Sequence, residues 1–357
     1  MSSSLAFSLD AMSSPISIPA SDATVSVSVL NVATVDVPAS MFLHPVLPGH
    51  ERFVVPAFTF FIEHPTKNIR IMFDLGVRAW PEESAPVLRK RMEQPGGPKA
   101  VVEKDVATRL KEGAVDLESV NAIIWSHTHF DHTGDPSTFP PTTELVLGPG
   151  TKAAFFPPYP ANPESSLLAS DFEGRKVTEL TPDQFTLNIG DFQALDYFGD
   201  GSLYLLDTPG HCQGHITGLA RVTPTTFILM GGDTCHHPGQ LRPNTYLPCP
   251  CSLLSSVSRE CFPQAATSSD LTQPLLTIPP TQPSVYVDSS IATESIRKLG
   301  AFDAHPDVLV LLAHDASVQD VVNYWPEKAN NWKQEGWKEK RWGFLEKGNR
   351  AWRLAPA

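Results

Sequence analysis

Basic residues are scarce in this chain. Its 357 residues include 27 lysines and arginines against 39 aspartates and glutamates, a formal net charge of −12. Nucleic-acid binding is driven by clustered Lys and Arg on phosphates, and no such cluster stands out, so a nucleic-acid substrate is disfavoured. Cysteine is sparse as well. Cys212, Cys235, Cys249, Cys251 and Cys261 are odd in number and irregular in spacing, so they make no disulfide framework, and reduced thiols in a cytosol are the simpler reading. No apolar run reaches membrane-spanning length. The Ser-rich first 22 residues carry no Lys or Arg, so neither a secretory leader nor a transit peptide is expected there. They read as a disordered tail on a soluble, cytoplasmic protein that engages neither membrane nor nucleic acid.

What the chain does have is histidine in a dense cluster. His127-Thr128-His129-Phe130-Asp131-His132 follows the apolar run Ala122-Ile123-Ile124-Trp125 directly. Imidazole nitrogen and carboxylate oxygen are the donors a borderline divalent ion such as zinc accepts, and a strand-to-loop turn would gather them in one small volume. Three further candidates each stand just past a hydrophobic segment that reads as a buried strand: His211 after Leu203–Asp207, Asp233 after Phe227–Met230, and His314 after Val308–Leu312. The core would hold each strand rigid while the loop at its end delivers one side chain to a common point. Four ligands plus three make seven. An aspartate can bridge two ions through its two oxygens, so the set fits two metals.

These motifs resemble the metallo-β-lactamase superfamily, in the branch carrying HxHxDH followed by His, Asp and His in that order. The resemblance runs from about Val54 to about His314 and includes Phe73-Asp74-Leu75-Gly76, which looks like the family's early strand ending in Asp-x-Gly. It implies an α+β fold, an αββα sandwich of two mixed sheets flanked by helices. It also implies that His127, His129 and His211 hold one metal, that Asp131, His132 and His314 hold the other, and that Asp233 bridges. The cofactors implied are two Zn2+ per chain, with Fe or Mn as other ions such a set accepts. A water shared by the metals would supply hydroxide near neutral pH, and Asp131 beside it would carry a proton to the leaving group.

With 41% hydrophobic residues the chain can bury a sizeable core, and residues 23–357 read as one domain. Thr24–Val35 alternates as a first strand, Phe58–Ile62 and Ile69–Phe73 as a pair, and Phe192–Tyr197 with Leu203–Leu206 as a hairpin about Gly199-Asp200-Gly201. Pro98–Glu112 is charged and amphipathic, which predicts a surface helix, as does Ile291–Leu299. The stretch from His236 to Pro283, with nine prolines and three cysteines, is expected to be a substrate-facing insertion, and Arg242, Tyr246 and Phe262 are its candidate contacts. The tail from Trp325 to about residue 353, with five of the seven tryptophans, is expected to lay a helix on the sandwich. His215, four residues past His211, reads as structural.

Chemistry of this kind suits a small-molecule acyl substrate, with opening of a lactone or lactam as the main reading. Lactonases of the resembling branch place a tyrosine three residues after the bridging aspartate, where this chain has His236; His236 or Tyr246 would then donate to the substrate, with Phe130 beside the ligands. A thioesterase acting on an acyl-carrier or small thioester is the alternative. An iron-dependent oxidoreductase and a scaffold that has lost catalysis are further readings, both opposed by the complete ligand set.

Overall fold

The computed structural model describes residues 16–46, 49–250, 271–346 and 348–352. Among the described residues thirteen strands form two sheets. The first contains β1 (Ser26–Pro38), β2 (Arg52–His64), β3 (Ile69–Phe73), β4 (Lys99–Val101), β5 (Ala122–Ile124), β6 (Glu144–Leu147) and β7 (Val177–Glu179), in the order β4-β1-β2-β3-β5-β6-β7. The second contains β8 (Leu187–Ile189), β9 (Phe192–Asp196), β10 (Leu203–Asp207), β11 (Ile216–Arg221), β12 (Phe227–Met230) and β13 (Val308–Leu311), in the order β13-β12-β11-β10-β9-β8. The α-helices among the described residues are α1 (Pro86–Glu93), α2 (Val106–Glu112), α3 (Phe130–Thr133), α4 (Thr151–Phe155), α5 (Pro238–Leu241) and α6 (Ser289–Ala304).

The layering follows from strands that are apolar on both faces. Side chains along a strand alternate between faces, so Phe58, Phe60, Ile71, Phe73, Ile124, Ile228, Met230, Leu309 and Leu311 meet between the sheets. Their neighbours Phe61, Met72 and Ile123 pack outward against a second cluster that takes in Val106 and Leu110 of α2. Leu206, Leu229, Val308 and Val310 turn outward on the other sheet to meet Ile296, Leu299 and Phe302 of α6. Helix, sheet, sheet and helix thus stack as the αββα order expected. No helix among the described residues is long and apolar enough to cross a membrane.

Strand direction then places the site. β3 runs parallel to β5, and β12 runs parallel to β13. β10 and β12 are both antiparallel to β11 and so point the same way. The carboxyl ends of β10, β12 and β13 therefore share one edge of the second sheet. The loop after β5 joins them there through the Ile216 N–H, which donates to Ser126 O at 2.9 Å.

Four expectations are corrected. Pro98–Glu112 is not one helix: Lys99–Val101 is an edge strand on β1, with Val101 opposite Thr34, and the helix starts only at Val106. Asp105 explains the boundary, since its side chain accepts the Thr108 N–H and caps the helix. The tryptophan tail is a series of 3₁₀ turns rather than an α-helix, interrupted at Pro326 and at Gly336, where φ is +70°. It still buries Trp332 and Trp337 in the inter-sheet core. Residues 16–22, expected with a disordered tail, are fastened: Ile16 packs in the α6 cluster, Pro19 O accepts from Arg221 at 2.5 Å, and Ser21 donates to Asp200 O. The first 15 residues lie outside those described. The stretch after His236, expected to be a substrate-facing insertion, begins turned inward, for His236, His237, Gln240, Leu241 and Arg242 are all buried. Phe262, Cys251 and Cys261 fall outside the described residues.

Candidate metal centre

All seven sequence candidates come together, in two clusters. His127, His129, His211 and Asp233 form one, and Asp131, His132 and His314 the other, with the donor atoms of each cluster within 4.8 Å of one another. In the first, His127 Nε2, His129 Nδ1 and His211 Nε2 approach pairwise at 2.9–3.1 Å. A neutral imidazole nitrogen either carries a proton or offers a lone pair. Three nitrogens in a closed triangle cannot alternate those roles, whereas all three can offer lone pairs to one cation. In the second cluster His132 Nε2 and His314 Nε2 lie 3.3 Å apart, and Asp131 Oδ2 lies 3.5 Å from His314 Nε2.

Asp233 stands between the two. Its Oδ1 faces His132 Nε2 and His314 Nε2, both at 3.1 Å, while Oδ2 faces His211 Nε2 at 3.4 Å and His127 Nε2 at 3.6 Å. Oδ1 is buried and has no hydrogen-bond partner. A buried carboxylate oxygen left in this way is costly unless something outside the protein answers it. The donor set of imidazoles and carboxylates fits divalent ions such as zinc, and one carboxylate split between two clusters fits a bridge.

The outer nitrogens of the rings explain why the inner ones converge. His132 Nδ1 is 2.8 Å from Asp74 Oδ2, and His314 Nδ1 donates to Pro56 O at 2.7 Å, which leaves Nε2 free to face inward in each case. Asp74 is itself fixed by the Ser126 N–H and hydroxyl, at 2.6 and 2.7 Å, and adopts φ +61° to reach them. His215 takes the structural place expected of it. Its Nε2 accepts the Asp233 N–H at 3.0 Å, and its Nδ1 lies 2.8 Å from the Thr208 hydroxyl. Asp74 was visible in the sequence only as part of a motif. The roles of Ser126 and Pro56 left no sequence signal, since one acts through a hydroxyl and the other through a backbone carbonyl.

Electrostatics separates the clusters. Burial, with the neighbouring rings, pushes His127 and His211 well below the usual imidazole range, so both are neutral donors. Burial also disfavours charge on His132 and His314, but the nearby carboxylates outweigh it and raise both: Asp233 and Asp74 for His132, Asp233 and Asp131 for His314. Burial works against the Asp233 carboxylate too, yet His132, His314 and His236 hold it well below the usual carboxylate range. Cys212 and Cys235 are buried thiols whose pKa burial raises, and neither belongs to a cluster.

Of the seven candidates, His129 and Asp131, on either side of the start of α3, are the least buried. The first residue of α3, Phe130, is half-buried between ligand candidates His129 and Asp131, and lines a small pocket with Val77, Arg78 and Leu88. Asp131 keeps 8% of its surface exposed, against 2% or less for His127, His132, His211, Asp233 and His314. The other proposed contacts lie elsewhere. His236 is fully buried behind Asp233. Tyr246 packs beside the α6 cluster and its hydroxyl takes a hydrogen bond from Arg297 at 3.4 Å. Arg242 is no pocket residue: it is buried, with a two-pronged ion pair to Asp303 at 2.7 Å.

The family model for the metallo-beta-lactamase superfamily matches residues 54–228. The gamma-lactamase FDB1 of Fusarium pseudograminearum is 39% identical over 348 residues, covering 92% of this chain and 84% of that protein. The chain belongs to the metallo-β-lactamase superfamily. A second relative, named cytochrome P450 monooxygenase mpaDE, of Penicillium roqueforti, is 40% identical across 93% of this chain, which spans 38% of that longer protein. The superfamily fold is shared with the solved structure of an N-acyl homoserine lactone hydrolase carrying N-hexanoyl-L-homoserine at its catalytic metal centre. The TM-score is 0.59 at 15% identity, over 86% of this chain and 99% of that one.

Proposed function

We propose that this metal-dependent hydrolase opens a cyclic ester or cyclic amide of a small molecule. The observation that carries the reading is the convergence of seven donor side chains on two clusters that share Asp233, with Asp131 beside the opening. The relative named gamma-lactamase supports the amide arm, and an ester ring presents the same carbonyl with a better leaving atom.

In this proposal His127, His129 and His211 would hold one cation, Asp131, His132 and His314 would hold the second, and Asp233 would be shared by both. Two zinc ions bound there would supply an activated water and an electrophile for the substrate carbonyl oxygen. The protein supplies order. Asp74 and Pro56 O fix the rings of His132 and His314, and His215 fixes the backbone of Asp233. Asp131, the best exposed of the carboxylates in the set, takes the proton of the attacking water and delivers it to the ring oxygen or nitrogen as the acyl bond breaks. Phe130 meets the apolar part of the substrate at the opening.

Hydrolysis of a panel of lactones, lactams and open-chain thioesters by zinc-replete protein tests the reading. At least one cyclic substrate should be opened with kcat/KM about tenfold or more above any thioester, a preference of about 1.4 kcal/mol in transition-state binding. Turnover confined to thioesters would move the protein to the alternative reading, an acyl-carrier or small-thioester hydrolase.

A further inference from the structure

Both ring nitrogens of His236 are engaged away from solvent. Nε2 lies 3.1 Å from Asp233 Oδ2, and Nδ1 lies 2.7 Å from the hydroxyl of Tyr286. The ring is held flat against His314, 3° from parallel at 5.7 Å between centroids, with the edge of Phe42 at 4.7 Å. The His236 N–H donates to Gln240 Oε1 at 2.8 Å, and Gln240 Nε2 reaches both the Tyr286 hydroxyl and Phe42 O. Tyr286 is buried too, and the next residue, Val287, donates its N–H to His211 O. The chain phenol, imidazole, carboxylate thus ends on one particular oxygen of Asp233. That oxygen faces the three-histidine cluster, and neither metal cluster takes in His236 itself. Its counterpart Oδ1 makes no hydrogen bond, and faces His132 Nε2 and His314 Nε2, two ring nitrogens of the other cluster, at 3.1 Å.

Resting on the reading of these clusters as metal sites, we propose that His236, oriented by Tyr286, is a positioning residue for Asp233. The Tyr286 hydroxyl donates to Nδ1, which fixes the tautomer, and Nε2–H donates to Asp233 Oδ2. The carboxylate is thereby locked in the plane that serves both clusters, and its grip on the three-histidine side depends on the lock. An outer partner of a metal-binding carboxylate sets affinity through orientation without touching the ion.

Zinc titration of the chelator-stripped protein against a competing chelator tests this, together with the visible absorption of the cobalt-loaded protein. His236→Phe keeps an aromatic ring but neither hydrogen bond. One of the two zinc-binding steps should weaken about 10- to 100-fold, the other should change by less than about threefold, and the cobalt absorption should shift. His236→Gln, whose amide can donate to Oδ2 and accept from Tyr286, should restore the weakened step to within about threefold of the parent, and Tyr286→Phe should weaken the same step less than His236→Phe does. Two parent-like zinc steps and an unchanged cobalt spectrum in His236→Phe overturn the proposal. So does loss at both steps that Gln fails to restore, which would make the imidazole a ligand, and so does parent-like zinc binding with a raised KM, which would make it a substrate contact. If His236→Phe does not fold, Tyr286→Phe carries the test, and parent-like binding in that variant overturns the proposal. A parent chain that takes up no zinc overturns both the proposal and the reading beneath it.

Discussion

Two buried polar clusters in this protein are built on opposite principles. In the metal centre like faces like: three imidazole nitrogens crowd one point, and Asp233 Oδ1, with two further ring nitrogens 3.1 Å away, makes no hydrogen bond. Beneath the C-terminal segment Arg242, Asp303 and Lys338 are answered from within the protein. Arg242 forks onto both oxygens of Asp303 at 2.7 Å and donates to Arg341 O, while Lys338 donates to Asp303 O and Val308 O. Burial opposes both charges, yet the Arg242 guanidinium and the Asp303 carboxylate each hold the other ionised. Depth and polarity are the same in the two places. What marks the functional one is that its groups cannot satisfy one another.

Removing cations should break this comparison most completely. Exhaustive chelation is expected to abolish hydrolysis and lower the melting temperature, because a ligand bound only by the folded state stabilises it. Close to two equivalents of zinc per chain should restore both, as read by elemental analysis; a ceiling of one metal per chain would sink the two-site arrangement. The Arg242 cluster answers a different perturbation. Arg242→Ala strands Asp303 and should cost about 3–5 kcal/mol of stability, whereas Arg242→Leu with Asp303→Leu should recover most of it. Urea unfolding decides the matter. In both variants the kcat of the fraction still folded should match the parent, since neither residue reaches the metal clusters.

Asp131→Asn is expected to be the smaller energetic change with the larger functional consequence. Loss of the proton carrier should lower kcat about a hundredfold, near 2.7 kcal/mol, with little change in melting temperature. Stopped assays on protein whose zinc content has been verified would show it. Near-parental turnover in a fully loaded variant would remove the proton-transfer role.

The contrast also explains what could be read before the structure. The seven candidates were legible because four crowd one hexapeptide after a hydrophobic strand and the other three each follow a strand of their own, and strand ends on one edge of a sheet are brought together by topology. The partners that orient them were not. Tyr286 lies fifty residues from His236 with no pattern linking them, and Pro56 acts on His314 only through its carbonyl. Arg242 looked like a pocket residue because it sits in a proline-rich, irregular stretch, yet α5 turns it inward to pair with Asp303 of α6. Amphipathicity misled at Lys99–Val101, where an edge strand exposes alternate residues much as a surface helix does. Charge and tryptophan content made the C-terminal segment look helical, while Pro326 and Gly336 break it into short turns that pack just as firmly.

The weakest expected effect concerns the proton, not the metal. Burial, with the Arg341 and Arg242 charges nearby, pushes the Lys338 ammonium down to about 7 in spite of Asp303. In the unfolded chain the same amine titrates near 10.4. Between those values the unfolded state binds a proton that the folded state lacks, so folding stability must rise with pH across that window and be flat below it. A neutral amine still has hydrogens for both carbonyls, so the anchor survives deprotonation. Lys338→Met removes the titration. Measured by urea midpoints at pH 7, 8 and 9, the stability of the parent relative to this variant should grow by about 1 kcal/mol per pH unit. A difference that stays constant over that range would mean that Lys338 keeps its proton in the fold, and that the Arg242 cluster is closed by four full charges rather than by three and a neutral amine.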